Sequence, residues 1–127
     1  MKKLLLATAI SSTMVFSAMA NAADYKLDTD GAHAAINFKV SHLGYSFISG
    51  RFDKFDGQFS YDANNIEASK ITVNVDTRSM DSNHAERDKH LTGPRFIDAS
   101  EFSTAKFVSS SITKKADGGL AVKGNMT

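Results

Sequence analysis

The sequence predicts an all-β chain, a series of short antiparallel strands arranged as a meander or barrel around one short helical insert. Three observations predict it. Apolar and polar residues alternate with period two along most of the chain. Clusters of Gly, Asn and Asp, the residues that favour turns, separate the alternating runs. Only the charge-dense stretch Asp81 to Leu91 breaks the pattern, so the repeated helical crossovers of a βαβ fold are missing.

The N-terminus reads as a targeting segment. Met1-Lys2-Lys3 is basic, Leu4 to Ala18 is mostly apolar, and Ala20-Asn21-Ala22 is a small-x-small cleavage site. That is the pattern of a secretory signal peptide spanning residues 1–22, with cleavage after Ala22. The apolar run carries Thr8, Ser11, Ser12, Thr13 and Ser17 and falls short of the ~20 mainly apolar residues that a membrane span needs. No integral membrane segment is therefore expected after cleavage, and with no Cys there is no site for lipoprotein acylation. Residues 23–127 form one domain at most. Removing Lys2 and Lys3 from 15 basic residues leaves 13 against 14 acidic ones, a net charge of −1. That balance gives no electrostatic reason to expect nucleic acid or an anionic membrane as partner.

The elements follow in order. Tyr25-Lys26-Leu27-Asp28 alternates and ends in the turn signal Thr29-Asp30-Gly31. Ala34, Ile36, Phe38 and Val40 share one strand face, opposite Ala35, Asn37, Lys39 and Ser41. Gly44 and Gly50 bracket a short strand, Tyr45-Ser46-Phe47-Ile48. Phe55, Gly57, Phe59 and Tyr61 share a face, Asp62 to Asn65 is a loop, and Ile71, Val73 and Val75 alternate with polar neighbours. Ser82 to Leu91 reads as a helix, with Asn83 as N-cap, Glu86 completing a capping box, and Thr92-Gly93-Pro94 as the stop. Thr104 to Thr113 is a strand, Lys114 to Gly119 a hairpin turn, and Leu120, Val122 and Met126 open a last strand.

In this scheme Phe38, Val40, Phe47, Phe55, Phe59, Ile71, Val73, Val75 and Phe107 converge on one apolar interior. A closed sheet of about eight strands can hold one small ligand there, and an ordinary packed core would show the same pattern. Gly124 to Thr127 reads as a strand that has only begun. The expectation is a barrel incomplete at the C-terminus, with a free edge that favours pairing with a second copy as a homodimer.

The insert concentrates the groups capable of chemistry. His84 and His90 lie six positions apart, about 120° around a helix, and cannot easily grip one ion; structural zinc sites usually add Cys, so no metal and no cofactor are expected. His84 with Asp88, or His90 with Glu86, could orient a general base. No Cys nucleophile, Gly-x-Ser-x-Gly elbow or Gly-rich phosphate loop accompanies them, and i, i+4 pairs of this kind are commonly surface stabilisers. No catalytic residue is assigned. A structural reading has Asp88 or Asp81 accept the guanidinium of Arg87, with Leu91 one turn on, so that Arg87, Asp88 and His84 tie the helix to strand ends.

The run His84-Ala85-Glu86-Arg87-Asp88-Lys89-His90-Leu91, followed by Phe96 and Phe107, resembles the YceI family of bacterial proteins. Ala23 to Asp28, His42-Leu43-Gly44-Tyr45-Ser46, Gly50-Arg51-Phe52, Phe55-Asp56-Gly57 and Asp81-Ser82-Asn83-His84 match further blocks of that family. The resemblance implies a lipocalin-like barrel, soluble in the periplasm, that binds a long isoprenoid or other lipid in an elongated apolar cavity; binding and transport of such a lipid are the expected function. It brings no established enzymatic activity. His84, Arg87 and His90 become candidates for a polar head group. An enzyme acting on a lipid head group through a His–carboxylate pair, or a stress-linked periplasmic interaction module, are the alternatives. The chain departs from the family at Thr92-Gly93-Pro94-Arg95, where Arg-Ser is common after His-Leu, and at Phe102-Ser103, where Tyr-Pro is common.

Overall fold

A computed structural model describes residues 22–31 and 33–127; the expected signal peptide lies, apart from Ala22, outside them. Eight strands and one α-helix follow in order: β1 (Ala23–Lys26), β2 (Ile36–His42), β3 (Ser46–Phe52), β4 (Phe55–Tyr61), β5 (Lys70–Asp76), β6 (Met80–Asp81), α1 (Ala85–Leu91), β7 (Thr104–Lys114) and β8 (Leu120–Met126). They form two antiparallel sheets, ordered β1-β4-β5-β7-β8 and β2-β3-β6. Among the described residues no strand pairs with both sheets, so they do not close into one barrel.

The β2–β3 hairpin turns through Leu43 (φ 54°) and Gly44 (φ 76°), with the Tyr45 N–H donating to the His42 carbonyl at 3.2 Å. Positive φ at both central residues is the type I′ turn, whose twist matches that of the flanking strands. Gly44 adopts it at no steric cost; Leu43 does not. The register Ile36↔Phe52, Phe38↔Gly50 and Val40↔Ile48 puts Ile36, Phe38, Val40, Ile48 and Phe52 on one face. A Cβ at Gly50 would collide with the Phe38 ring and with the Asp81 carbonyl, so only glycine lets that ring lie over the neighbouring strand.

Phe47 departs from expectation. It pairs with Ser41 and so lies on the opposite face from Phe38 and Val40, 64% exposed, with Lys39 Nζ 4.2 Å from its ring centroid. Tyr45 belongs to the turn, and the strand starts at Ser46. Ile48, not Phe47, therefore shares the face of Phe38 and Val40.

In the larger sheet the registers Phe55↔Val75, Gly57↔Val73 and Phe59↔Ile71, with Val73↔Phe107 and Val75↔Ala105, place Phe55, Phe59, Ile71, Val73, Val75 and Phe107 on one face. Tyr25 stacks on Phe59, ring centroids 4.8 Å apart. A bulge between Ser109 and Ser111 shifts the alternation by one residue. Ile112, opposite Val122, thereby stays on the side of Phe107 and is 2% exposed. A 3-10 turn at Ile66–Ala68 packs against β7. Val75, Ala99 and Ile112 are the buried apolar residues among those described; Phe55, Phe59, Ile71, Val73 and Phe107 on the same inner face are half-buried.

The helix begins later than the sequence suggests. Asn83 takes φ 62° and is not the N-cap. His84 is: its extended backbone precedes Ala85, and its Nδ1 accepts from the Arg87 N–H at 3.3 Å. An imidazole acceptor does here what a Ser, Asp or Asn oxygen usually does. At the other end, Thr92 Oγ1 donates to the Asp88 carbonyl at 2.8 Å, satisfying a backbone group the helix leaves unpaired.

Candidate functional site

The apolar face of the β2–β3 hairpin meets α1 and the loop after it. Phe38, Val40 and Ile48 from the hairpin and Leu91, Pro94 and Phe96 from the helix side enclose a groove of about 660 Å³, within the ~300–1,000 Å³ typical of small-molecule sites. Ser41, His42, Arg87, Lys89, His90, Gly93 and Arg95 complete the lining, which contains no carboxylate. The floor is apolar and the rim is basic.

A relay of hydrogen bonds sets the position of the helix. Arg87 Nε donates to Ser82 Oγ at 2.7 Å, and Arg87 Nη2 donates to the Ser82 carbonyl at 2.5 Å. The Ser82 hydroxyl donates to Asp88 Oδ1 at 2.5 Å, and the Ser82 N–H donates to the same oxygen at 2.9 Å. Ser82 is 3% exposed. The guanidinium of Arg87 thus reaches the serine between the two charges rather than Asp88 or Asp81 directly, which corrects the expected pairing. Asp81 instead accepts from the Asn83 N–H at 2.7 Å and from Arg51 at 3.5 Å. The Ser82 hydroxyl above all holds the Asp88 carboxyl below its ordinary value of 3.8. Partial burial opposes this, while the Ser82 and His84 backbone N–H groups and the charge on Arg87 reinforce it.

The expected head-group residues separate. Arg87 and His90 line the groove. His84 does not; its ring nitrogen caps the helix. Of the expected apolar lining, Phe38 and Val40 face the groove. Phe55, Phe59, Ile71, Val73, Val75 and Phe107 share a face of the larger sheet and take no part in the groove's lining. Ile48, His42, Lys89 and Arg95 were not anticipated. The strand parity set by the Leu43-Gly44 turn would have revealed Ile48. The loop residues carry no periodic signal.

Asp88 is engaged by Ser82, and the imidazole–carboxylate contact that does form lies elsewhere, His33 Nδ1 to Asp28 Oδ2 at 2.6 Å in an exposed turn. Among the described residues no group of three or more His, Cys, Asp or Glu is placed to hold a metal ion, and no helix is long and apolar enough to cross a membrane.

The family described as YceI-like domain matches residues 25–127. A UPF0312 protein of Vibrio cholerae is 61% identical over 127 residues, covering 100% of this chain and 67% of that protein. A UPF0312 protein of Shewanella denitrificans is 51% identical, with 100% and 66% covered. Among solved structures, BcnA of Burkholderia cenocepacia superposes with a TM-score of 0.66 at 27% identity, over 73% of this chain and 58% of its own. The chain thus spans about two thirds of its sequence relatives and less of that structure. A polyisoprenoid binding domain from Saccharophagus degradans shares the fold, with a TM-score of 0.53 at 13% identity over 84% of this chain and 66% of its own.

Proposed function

Because the chain belongs to the YceI-like domain family, we propose that it binds a long apolar lipid of the polyisoprenoid class and carries it within the periplasm. The observation that supports this most is the groove between the β2–β3 hairpin and α1, with Phe38, Val40, Ile48 and Leu91 on its floor. Each methylene buried there contributes about 0.8 kcal/mol, so a long chain binds well with few polar contacts. His90 is the exposed group in the lining that can meet a head group, and Arg87, whose Nε and Nη2 are held by Ser82, lends its charge beside it. The solved polyisoprenoid binding domain of the same fold supports the ligand class. The basic, apolar and small-residue segments of residues 1–22 support export.

Binding fits the helix better than catalysis does. Of the two candidate pairs, Asp88 is committed to Ser82 and the His84 ring to the helix end, while no ion pair within 4.0 Å joins His90 to Glu86 among the described residues. The deciding experiment is mass spectrometry of lipids extracted from natively purified full-length protein. A single co-purifying isoprenoid is expected. A set of chemically modified, product-like species would replace the carrier by an enzyme, and an empty protein from native periplasm would leave only an interaction module.

A further inference from the structure

We propose that the mouth of the groove is a docking surface for an anionic phospholipid bilayer, a contact separate from any lipid held inside. The tip of the β2–β3 hairpin carries Leu43, 77% exposed, and Tyr45, 93% exposed. Phe96, 63% exposed, stands on the loop after α1. Their neighbours His42 and Arg95, with Phe96 itself, line the same groove, so the hairpin end and the loop flank one opening.

Two features of this rim go beyond what the fold requires. The turn sets the positive φ at Leu43, but glycine or asparagine would adopt it more easily, and the leucine side chain is left 77% exposed. A large exposed apolar side chain at a turn position that suits glycine or asparagine points to a role at the surface. The second feature is charge. Lys89, His90 and Arg95 rim the groove with no carboxylate in its lining, and the ion pairs among the described residues all lie elsewhere. The chain's near-zero net charge hides this local excess. Apolar tips beside the unpaired cations Lys89 and Arg95 suit the boundary of an anionic leaflet, where side chains such as Leu and Phe enter the acyl region and Lys and Arg meet the phosphates. A protein partner would bring carboxylates and a dry, shape-matched contact; here Leu43, Tyr45 and Phe96 are 77%, 93% and 63% exposed beside the basic residues, an arrangement that suits a lipid boundary better.

The test is co-sedimentation of the full-length protein, processed after Ala22, with vesicles of phosphatidylcholine alone and of phosphatidylcholine with phosphatidylglycerol in equal parts. Binding to the mixed vesicles, weakened by salt, is expected. Lys89→Gln and Arg95→Gln should each lower the partition coefficient by about fivefold. Leu43→Asn should lower it by on the order of tenfold while leaving the urea midpoint unchanged or higher, since asparagine suits the turn. A purely structural role for Leu43 predicts no change in partitioning. Equal binding to both vesicles, no binding to either, or indifference to all three substitutions overturns the proposal. None of these outcomes depends on a ligand in the groove, so the proposal and the lipid-binding function succeed or fail separately.

Discussion

Asp88 Oδ1 accepts two hydrogen bonds from one residue, Ser82: from the backbone N–H at 2.9 Å and from the hydroxyl at 2.5 Å. Because the hydroxyl also accepts from Arg87 Nε, Ser82 is the joint at which the end of β6 is fixed to α1. The groove depends on that joint, since Arg87, Lys89, His90 and Leu91 line it from the helix. Ser82→Ala leaves the carboxylate one donor short and the guanidinium one acceptor short in a buried setting. A loss of about 1–3 kcal/mol is expected, read as a lower urea midpoint with an unchanged m value.

The same carboxylate sets a pH response. Asp28, Asp76, Asp88 and Asp117 are all held below the ordinary value of 3.8, chiefly by His33, Arg78, Ser82 and the Gly119 N–H respectively. The unfolded chain therefore takes up protons before the folded one. These groups contribute stability that is fully present above pH ~4 and is lost as pH falls through the lower folded values. Urea midpoints should show no carboxylate-dependent slope from about pH 5 to pH 7 and fall steeply below pH ~4. Asp88→Asn should make that fall shallower. A profile identical to that of the wild type would show that Asp88 gains nothing from Ser82 on folding.

Gly50 and Phe38 occupy one space. A methyl group at residue 50 meets the Phe38 ring and the Asp81 carbonyl, and the carbonyl belongs to a paired strand that cannot turn aside. Gly50→Ala should cost about 1–3 kcal/mol, as other overpacking substitutions do. Part of that cost should vanish in a Phe38→Leu background, giving a coupling of about 0.5 kcal/mol or more in a double-mutant cycle. Additive effects would assign the whole cost to the Asp81 backbone.

Much of the architecture is legible in the sequence, for identifiable reasons. Residues 55–61 and 70–76 alternate cleanly because one face is covered and the other wet, so Phe55, Phe59, Ile71, Val73 and Val75 fall on a single face as their spacing requires. The helix starts one residue later than residue type suggests because His84, seldom used as a cap, takes the place that Asn83 should hold. Arg87 was expected to bond a carboxylate because opposite charges attract; a neutral serine between the two satisfies both with shorter reach. In the groove, Lys89 and Arg95 come together with His42 only through the tertiary fold, and no local pattern brings residues some fifty positions apart to one rim.

Phe47 and Ile48 are adjacent in sequence and opposite in consequence. Ile48 lines the groove and pairs with Val40; Phe47 stands on the outer face under Lys39. If the groove holds the lipid chain, Ile48→Ser removes about 1.5–3 kcal/mol of apolar contact and should weaken binding of a fluorescent isoprenoid by tenfold or more. Phe47→Ser removes the larger side chain and a cation–π contact of about 0.5–1 kcal/mol, yet should leave affinity within about twofold, because the ring never meets the ligand. Both variants are to be compared at matched fractions folded, measured by urea unfolding. Equal losses from the two would mean that binding follows stability alone. A larger loss from Phe47→Ser would place the lipid on the outer face of the hairpin instead.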